Sequence, residues 1–138
     1  MPAMMIAASL VFIGSAQAAG DAAKERQAVM KQNGAAIRAL AQMAKGQTPF
    51  DAAAAQLAMR TMNTAALGFG YMFPEGSETG SKTRAAPAIW SDRAGFDAAV
   101  AKYIAATSVT ISDLGGLKAA MGAVGPNCGS CHKAYRTE

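Results

Sequence analysis

The sequence predicts an all-α fold, an antiparallel four-helix bundle. After residue 18 the chain is rich in alanine and poor in runs of β-branched residues, which disfavours strands. Its apolar residues recur at intervals of three and four in four successive stretches, the period of amphipathic helices. Two short connections and one longer one join these stretches, as expected for helices that pack antiparallel to their neighbours.

The first 20 residues carry no charged side chain. The apolar run over residues 4–13 is too short to span a bilayer, which takes about 20 residues. Ala16-Gln17-Ala18 follows it and fits the A-x-A pattern of a signal-peptide cleavage site. We therefore predict a signal peptide over residues 1–18, cleavage near Ala18, export to the periplasm and one domain over residues 19–138. No Lys or Arg precedes the run, so either the amino group of Met1 supplies the positive charge or the true start lies elsewhere.

The first two helices are marked by their end signals. Helix 1 is predicted from about Asp21 to Lys45, because Gly46 is a typical residue after a helix C-terminus. Helix 2 is predicted to begin with Thr48 as N-cap and Pro49 at its first position. The side chains that we predict on its inner face are Leu57, Thr61, Ala65 and Phe69.

A longer loop and two further helices complete the bundle. Glycine and proline residues between positions 68 and 87 predict the loop. Helix 3 is predicted to start around Ser91-Asp92 and helix 4 to be capped by Ser112-Asp113. The inward stripe of helix 3 comprises Phe96, Val100, Tyr103, Thr107 and Ile111. The inward stripe of helix 4 comprises Leu117, Met121, Val124, Cys128, Cys131 and Tyr135. Pro126 interrupts helix 4, so a kink or a restart is expected just before the cysteines.

The most specific motif is Cys128-Gly129-Ser130-Cys131-His132, which holds the only cysteines and the only histidine of the chain. C-x-x-C-H is the attachment signature of c-type haem. The two thiols can each add to a haem vinyl group, and the imidazole then serves as the proximal iron ligand. We predict one covalent haem c, held by Cys128 and Cys131, with His132 on the iron.

Three other interpretations of the motif are weaker. A zinc site needs at least three protein ligands, and no further Cys or His exists to complete a Cys/His set. A thioredoxin-type C-x-x-C belongs beside a βαβ pattern, which the sequence lacks. A structural disulfide between Cys128 and Cys131 would leave His132 unexplained.

Charge and composition exclude several classes of protein. The net charge is +4, all of it from residues after position 18, and two haem propionates would offset about half of it. No basic run with interleaved aromatic residues indicates nucleic-acid binding. No long apolar run follows the signal, so we expect no membrane span once it is removed. Without a second His as distal acid or base, we expect no enzyme and assign no catalytic residue.

Together these features resemble the class II cytochromes c, the family of cytochrome c′. The resemblance rests on the C-x-x-C-H motif in the last helix, and on weaker matches over residues 26–30, 45–53, 89–90 and 131–136. It implies that Met30, on helix 1, lies on the distal side of the haem. The run over residues 30–34 is similar to the low-spin members, in which this methionine binds the iron. The same methionine can also be an ordinary core residue, as in some high-spin members.

The function that the resemblance implies depends on whether Met30 binds the iron. With His132 and Met30 as axial ligands, the protein is a periplasmic one-electron carrier that docks on redox partner proteins. With an open distal position, it is a five-coordinate cytochrome c′ that binds NO or CO. By similarity, Arg26 reaches a haem propionate and Arg136 lies near the proximal face. Members of the family often form homodimers through helices 1 and 2, although the alanine-rich face of helix 2 fits a monomer equally well.

Overall fold

The computed structural model describes residues 14–80 and 82–138, with the backbone alone for residues 14–21. The apolar run of the predicted signal peptide lies outside the described residues, and residues 14–18 belong to the backbone of the first helix. The signal peptide and its cleavage near Ala18 therefore stay a prediction. Among the described residues, no helix is long and apolar enough to cross a membrane.

The predicted all-α bundle is confirmed. Its four long helices are α1 (Gly14–Ala44), α2 (Ala52–Phe69), α4 (Arg93–Thr107) and α5 (Leu114–Tyr135). A single 3₁₀ turn (Gly70–Met72) follows α2, and a short helix, α3 (Ala88–Ser91), precedes α4. Helix α1 packs on α2 and α5, and α4 packs on the same two helices. The described residues contain no strand, only an isolated bridge between Ala85 and Arg136.

Aspartates cap three of the long helices. Asp92 and Asp113 accept hydrogen bonds from the backbone N–H groups of Gly95 and Gly116, as the sequence predicts for these helix starts. The predicted start of helix 2 is wrong, because its N-cap is Asp51, whose carboxylate accepts from Ala54 N at 2.9 Å. Thr48 belongs instead to the turn that ends α1, where its N–H points to the carbonyl of Gln42.

Glycine at position 46 ends α1 as predicted. Its φ of +70° lies in the left-handed region that favours glycine. The N–H of Gly46 donates to Met43 O and that of Gln47 donates to Gln42 O, which satisfies two carbonyls of the last turn. The chain can then reverse direction over a few residues into α2.

The inner face predicted for helix 2 is wrong at Leu57 and Thr61, whereas Phe69 is buried as predicted and Ala65 is half-buried. Leu57 is 67% exposed, and Thr61 is exposed as well. The buried residues of α2 are Ala55, Met59, Met62, Ala66 and Phe69. Apolar side chains occur on almost every side of this alanine-rich helix, so periodicity alone does not select one face. Packing against α1 and α4 buries the face that carries the two large methionines.

The inner faces predicted for helices 3 and 4, which are α4 and α5 of the structure, agree better with the sequence. On α5, Leu117 and Val124 are buried as predicted. Phe96, Val100 and Thr107 of α4 are buried, and so is Ile111 just beyond it. Helix α5 continues through Pro126, so the predicted restart is wrong. Pro126 cannot donate to the carbonyl of Gly122, but both residues are exposed, and water can satisfy that carbonyl.

Candidate cofactor site

A cavity of about 500 Å³ opens among α1, α4, α5 and the loop that precedes α3. This volume falls within the range of roughly 300–1,000 Å³ typical of small-molecule and cofactor pockets. The structure brings all the residues that the sequence proposed for a site to its lining, namely Arg26, Met30, Cys128, Cys131, His132 and Arg136. The site residues are therefore contiguous in space although α1 and α5 lie at opposite ends of the chain.

Helix α5 supplies the thiols and the imidazole. Cys128 and Cys131 are free and half-buried, one turn apart on the helix. Burial raises the pKa of both thiols, and for Cys131 the neighbouring Cys128 raises it further. Burial lowers the pKa of His132, and the charges of Arg136 and Arg84 lower it further. The neutral imidazole, which keeps a lone pair for a metal, is therefore favoured.

Helix α1 supplies a thioether and a carboxamide. Met30 is half-buried and packs against the cluster of Phe69, Phe73 and Phe96. Asn33 is one turn further along α1 and only 8% exposed. Its Oδ1 is buried and accepts no hydrogen bond from the described residues. The unpartnered oxygen leaves α1 with an unmet hydrogen-bonding capacity beside the cavity.

Aromatic rings close one end of the site. Phe73 meets Phe69, Phe96 and Trp90 in edge-to-face contacts with centroid separations of 5.1, 4.8 and 5.9 Å. The ring of Tyr135 also belongs to this group, with its centroid 5.3 Å from that of Phe96. Offset and edge-to-face rings attract one another beyond their burial of area. Phe96, which the sequence predicts on the inward stripe of helix 3, packs in this group, and so does Trp90.

Arg26 makes contacts that the sequence did not reveal. It is 5% exposed, and its two terminal nitrogens donate to Met72 O, Ser77 Oγ, Ser77 O and Thr83 Oγ1. The guanidinium also lies 4.7 Å from the centroid of the Phe73 ring. Burial lowers its pKa from the ordinary value, and the charge of Glu78 opposes this. These partners join α1 to the loop, while a contact with a propionate stays a prediction.

The C-terminus brings a second arginine to the site. Ala86 N donates to Tyr135 O at 3.0 Å, and Thr137 N donates to Arg84 O at 2.8 Å. These two bonds fasten the loop to the end of α5, and Arg84 thereby lines the cavity with Arg136. No pattern in the sequence indicates Arg84, because these two distant stretches of the chain meet only through this tertiary pairing.

The donor set fits a covalently attached haem. Its thiols have the spacing and burial that attachment requires, the imidazole is adjacent, and apolar side chains provide much of the lining. The described residues hold no group of three or more His, Cys, Asp or Glu that could bind a metal ion by itself, so nothing in them supports the zinc alternative. The fold and the site together define a c-type haem protein built on a helical bundle.

Comparisons with known proteins identify the family. Residues 21–136 match the family model described as cytochrome C′. Cytochrome c-556 of Agrobacterium fabrum is 43% identical over 127 residues, which cover 89% of this chain and 85% of that protein. The structure of cytochrome c′ from Rhodopseudomonas palustris superimposes with a TM-score of 0.80 at 39% identity, covering 86% of this chain and 97% of that one. A nitric oxide complex of a mutant cytochrome c prime from Alcaligenes xylosoxidans gives 0.69 at 34% identity, covering 86% and 95%.

The chain therefore belongs to the cytochrome c′ family, and its cofactor is a covalently bound haem c. Proteins of this family transfer electrons or bind gases.

Proposed function

We propose that the protein is a periplasmic one-electron carrier, with haem c attached to Cys128 and Cys131 and with His132 and Met30 as axial ligands of the iron. The main support is that Met30, on α1, lines the same cavity as His132, on α5. A methionine sulfur is a soft ligand on a flexible side chain. The bound haem would supply a one-electron iron couple, and a His/Met pair raises its potential.

The cysteines would provide the covalent attachment. Each S–H would add across one vinyl double bond, so that a C–S bond forms and the proton goes to the other vinyl carbon. Their positions one turn apart on α5 put both sulfurs on the same wall of the cavity. His132 would then be held next to the attachment point in its neutral form, since burial and the charges of Arg136 and Arg84 lower its pKa.

A basic rim would favour acidic redox partners. Arg84, Lys133 and Arg136 are exposed next to His132, and the chain carries a net charge of +4. Complementary charge speeds the encounter of transient partners. Because the only histidine is assigned to the iron, no second imidazole is available for acid–base catalysis, and we propose no enzymatic activity.

Export and assembly complete the proposal. The apolar run and Ala16-Gln17-Ala18 support export with cleavage near Ala18. Leu57 and Leu67 are exposed on α2, 67% and 56% respectively, and a homodimer through α1 and α2 would cover them. Sedimentation of the mature protein over a range of concentrations tests the dimer, and Leu57→Lys would shift it to monomer.

A five-coordinate protein that binds NO or CO is the second candidate. One observation favours it specifically: the Alcaligenes relative, 34% identical, was solved as a nitric oxide complex. In that case Met30 would be a packing residue against the aromatic cluster, and its sulfur would leave the distal position open.

The optical spectrum with and without CO distinguishes the two candidates. For the carrier, the oxidised and reduced spectra are low-spin, CO leaves the reduced spectrum unchanged, and Met30→Leu makes it CO-sensitive. Met121→Leu is the matched control, because Met121 is also half-buried but does not line the cavity. A high-spin wild-type spectrum that shifts with CO, unaltered in character by Met30→Leu, would contradict the carrier proposal and support gas binding.

A further inference from the structure

Positive charge gathers at one end of the haem cavity. Among the described residues, three arginines line the cavity, namely Arg26, Arg84 and Arg136. Arg26 lies on α1 and Arg136 directly follows α5, and the bridge between Ala85 and Arg136 brings Arg84 to the same end. The charges of Arg84 and Arg136 both lower the pKa of His132, so both guanidinium groups lie near that imidazole.

The haem carries its negative charge at one edge of its ring. Its vinyl groups and its two propionates project from opposite edges of the porphyrin, and the thiols of Cys128 and Cys131 bind the vinyl groups. Both cysteines precede His132 on α5, so the propionate edge is directed toward the end of that helix. The arginines and the propionates therefore meet at the same end of the cavity.

Arg26 has little hydrogen-bonding capacity left for a propionate. Its terminal nitrogens already donate four hydrogen bonds to the loop, two of them to Ser77 and one each to Met72 O and Thr83 Oγ1. A guanidinium has four terminal N–H groups and one more at Nε. A carboxylate that approached Arg26 would find a single N–H group without a partner among the described residues.

Arg84 has the opposite arrangement. Its Nε donates to Thr137 O at 3.2 Å, whereas its two terminal nitrogens donate to none of the described residues. Thr137 N also donates to Arg84 O at 2.8 Å, which fixes the backbone at this position. The guanidinium is thus held at Nε, and the two nitrogens that can grip a carboxylate as a fork stay open.

Arg136 lacks such an anchor. Its side chain is exposed and donates no hydrogen bond to the described residues. Binding a propionate would order a long, free side chain, which costs conformational entropy. Arg84 has already lost part of that entropy through its bond to Thr137 O, so it is the better prepared of the two.

We propose that Arg84 binds a haem propionate through its two terminal nitrogens and raises the reduction potential of the haem. The contact is at the edge of the ring, so the proposal holds whether or not Met30 binds the iron. The sign follows from charge: a cation held beside the haem, which also neutralises a negative propionate, disfavours the more positive oxidised iron.

The first test is a redox titration of the holoprotein with Arg84→Gln. At a fixed electrode potential near the wild-type midpoint, we expect the ratio of reduced to oxidised protein to fall about threefold. Arg84→Lys keeps the charge without the fork and should restore most of the ratio. Arg136→Gln removes the same charge from the same end of the cavity and should have the smaller effect. Arg60→Gln is the matched control, because Arg60 is exposed on α2 outside the cavity lining, and it should leave the ratio unchanged.

The second test needs no variant. A crystal structure of the wild-type holoprotein should show both terminal nitrogens of Arg84 within hydrogen-bond distance of one propionate. The proposal is overturned if the propionates bind other groups and not Arg84, if Arg84→Gln leaves the ratio unchanged, or if Arg136→Gln lowers it as much. A spectrum that shows Met30 unbonded would refute the carrier proposal alone, because the propionate contact does not require an iron–sulfur bond.

Discussion

The contacts of Arg26 give the sharpest stability prediction. Replacing it by methionine keeps a long apolar stem and removes the guanidinium that joins α1 to the loop before α3. Three of its hydrogen bonds, two to Ser77 and one to Met72 O, measure 3.0 Å, and the fourth, to Thr83 Oγ1, measures 3.3 Å. We expect the free energy of unfolding to fall and the loop to detach from the bundle before the helices unfold.

The size of this fall in stability depends on the hydrogen bonds that are lost and on the cost of charge burial that is lost with them. Hydrogen bonds from a charged donor stabilise by about 1.5–3 kcal/mol each. Four bonds from one group do not add, because they share one ordered side chain. Removal of the guanidinium also removes the cost of burying its charge, which offsets part of the loss. All the acceptors are neutral, so no buried charge is left unpaired, and for Arg26→Met we expect a loss of about 3 kcal/mol, the upper end of the cost of leaving a buried polar group unsatisfied, about 1–3 kcal/mol.

Urea unfolding of the holoprotein, followed by far-ultraviolet circular dichroism, measures this loss. Arg38→Met is the matched control, since Arg38 is exposed on the same helix and should change stability by less than about 0.5 kcal/mol. Limited trypsin digestion adds a local readout, because Lys82 and Arg84 are exposed in the loop and should be cut faster only in Arg26→Met. Equal urea midpoints and equal cleavage rates in the two variants would refute the role assigned to Arg26.

Four further substitutions test the packing and capping of the bundle. Gly95→Ala should lower stability by about 1 kcal/mol, because the new methyl group would displace the Asp92 cap and the hydroxyl of Tyr135. Gly122→Ala should raise stability by about 1 kcal/mol, because Gly122 lies on α5 with open space around it. Asp113→Ala should lower stability by about 1 kcal/mol through loss of the α5 N-cap. Burial raises the pKa of Tyr103 above its ordinary 10.0 in the folded chain, so stability should fall as the pH rises through 10, and Tyr103→Phe should remove that part of the fall.

Thermal unfolding at neutral pH checks the two glycine substitutions and Asp113→Ala, and melting temperatures between pH 8 and about pH 11 check Tyr103→Phe. The sign for tyrosine follows from the order of ionisation: the unfolded phenol loses its proton first, which favours the unfolded state above its own pKa. Equal effects of the two glycine substitutions, an Asp113→Ala variant as stable as wild type, or parallel pH curves for Tyr103→Phe and wild type would contradict these assignments.

Much of the candidate site was predictable because covalent chemistry fixes its spacing. The two thiols and the imidazole stand in one five-residue motif, and a helical period puts both cysteines on the inward stripe of the last helix. Met30 was predictable only through the resemblance to a family, since α1 carries several apolar residues with the same period. Its presence in the cavity lining agrees with that prediction, while its bond to iron stays proposed.

Contacts between distant segments were not predictable. Arg26 finds its acceptors 46 to 57 residues further along the chain, in a loop whose course no local pattern indicates. Arg84 lines the cavity because the C-terminus pairs with the loop. The inner face of α2 was mispredicted for a similar reason: alanine and leucine are apolar on either side, and only the partner helices decide which side is buried.

Local sequence patterns were enough to predict the four long helices, two of the three aspartate caps and the haem attachment motif, because these depend on residues within one or two turns of each other. The start and the buried face of α2, the anchoring of the loop by Arg26 and the isolation of Asn33 Oδ1 emerged only in the folded bundle. Those features depend on which surfaces meet and which polar atoms are left without partners once they meet. Burial and hydrogen-bond satisfaction are properties of the assembled bundle, and a single stretch of sequence does not contain them.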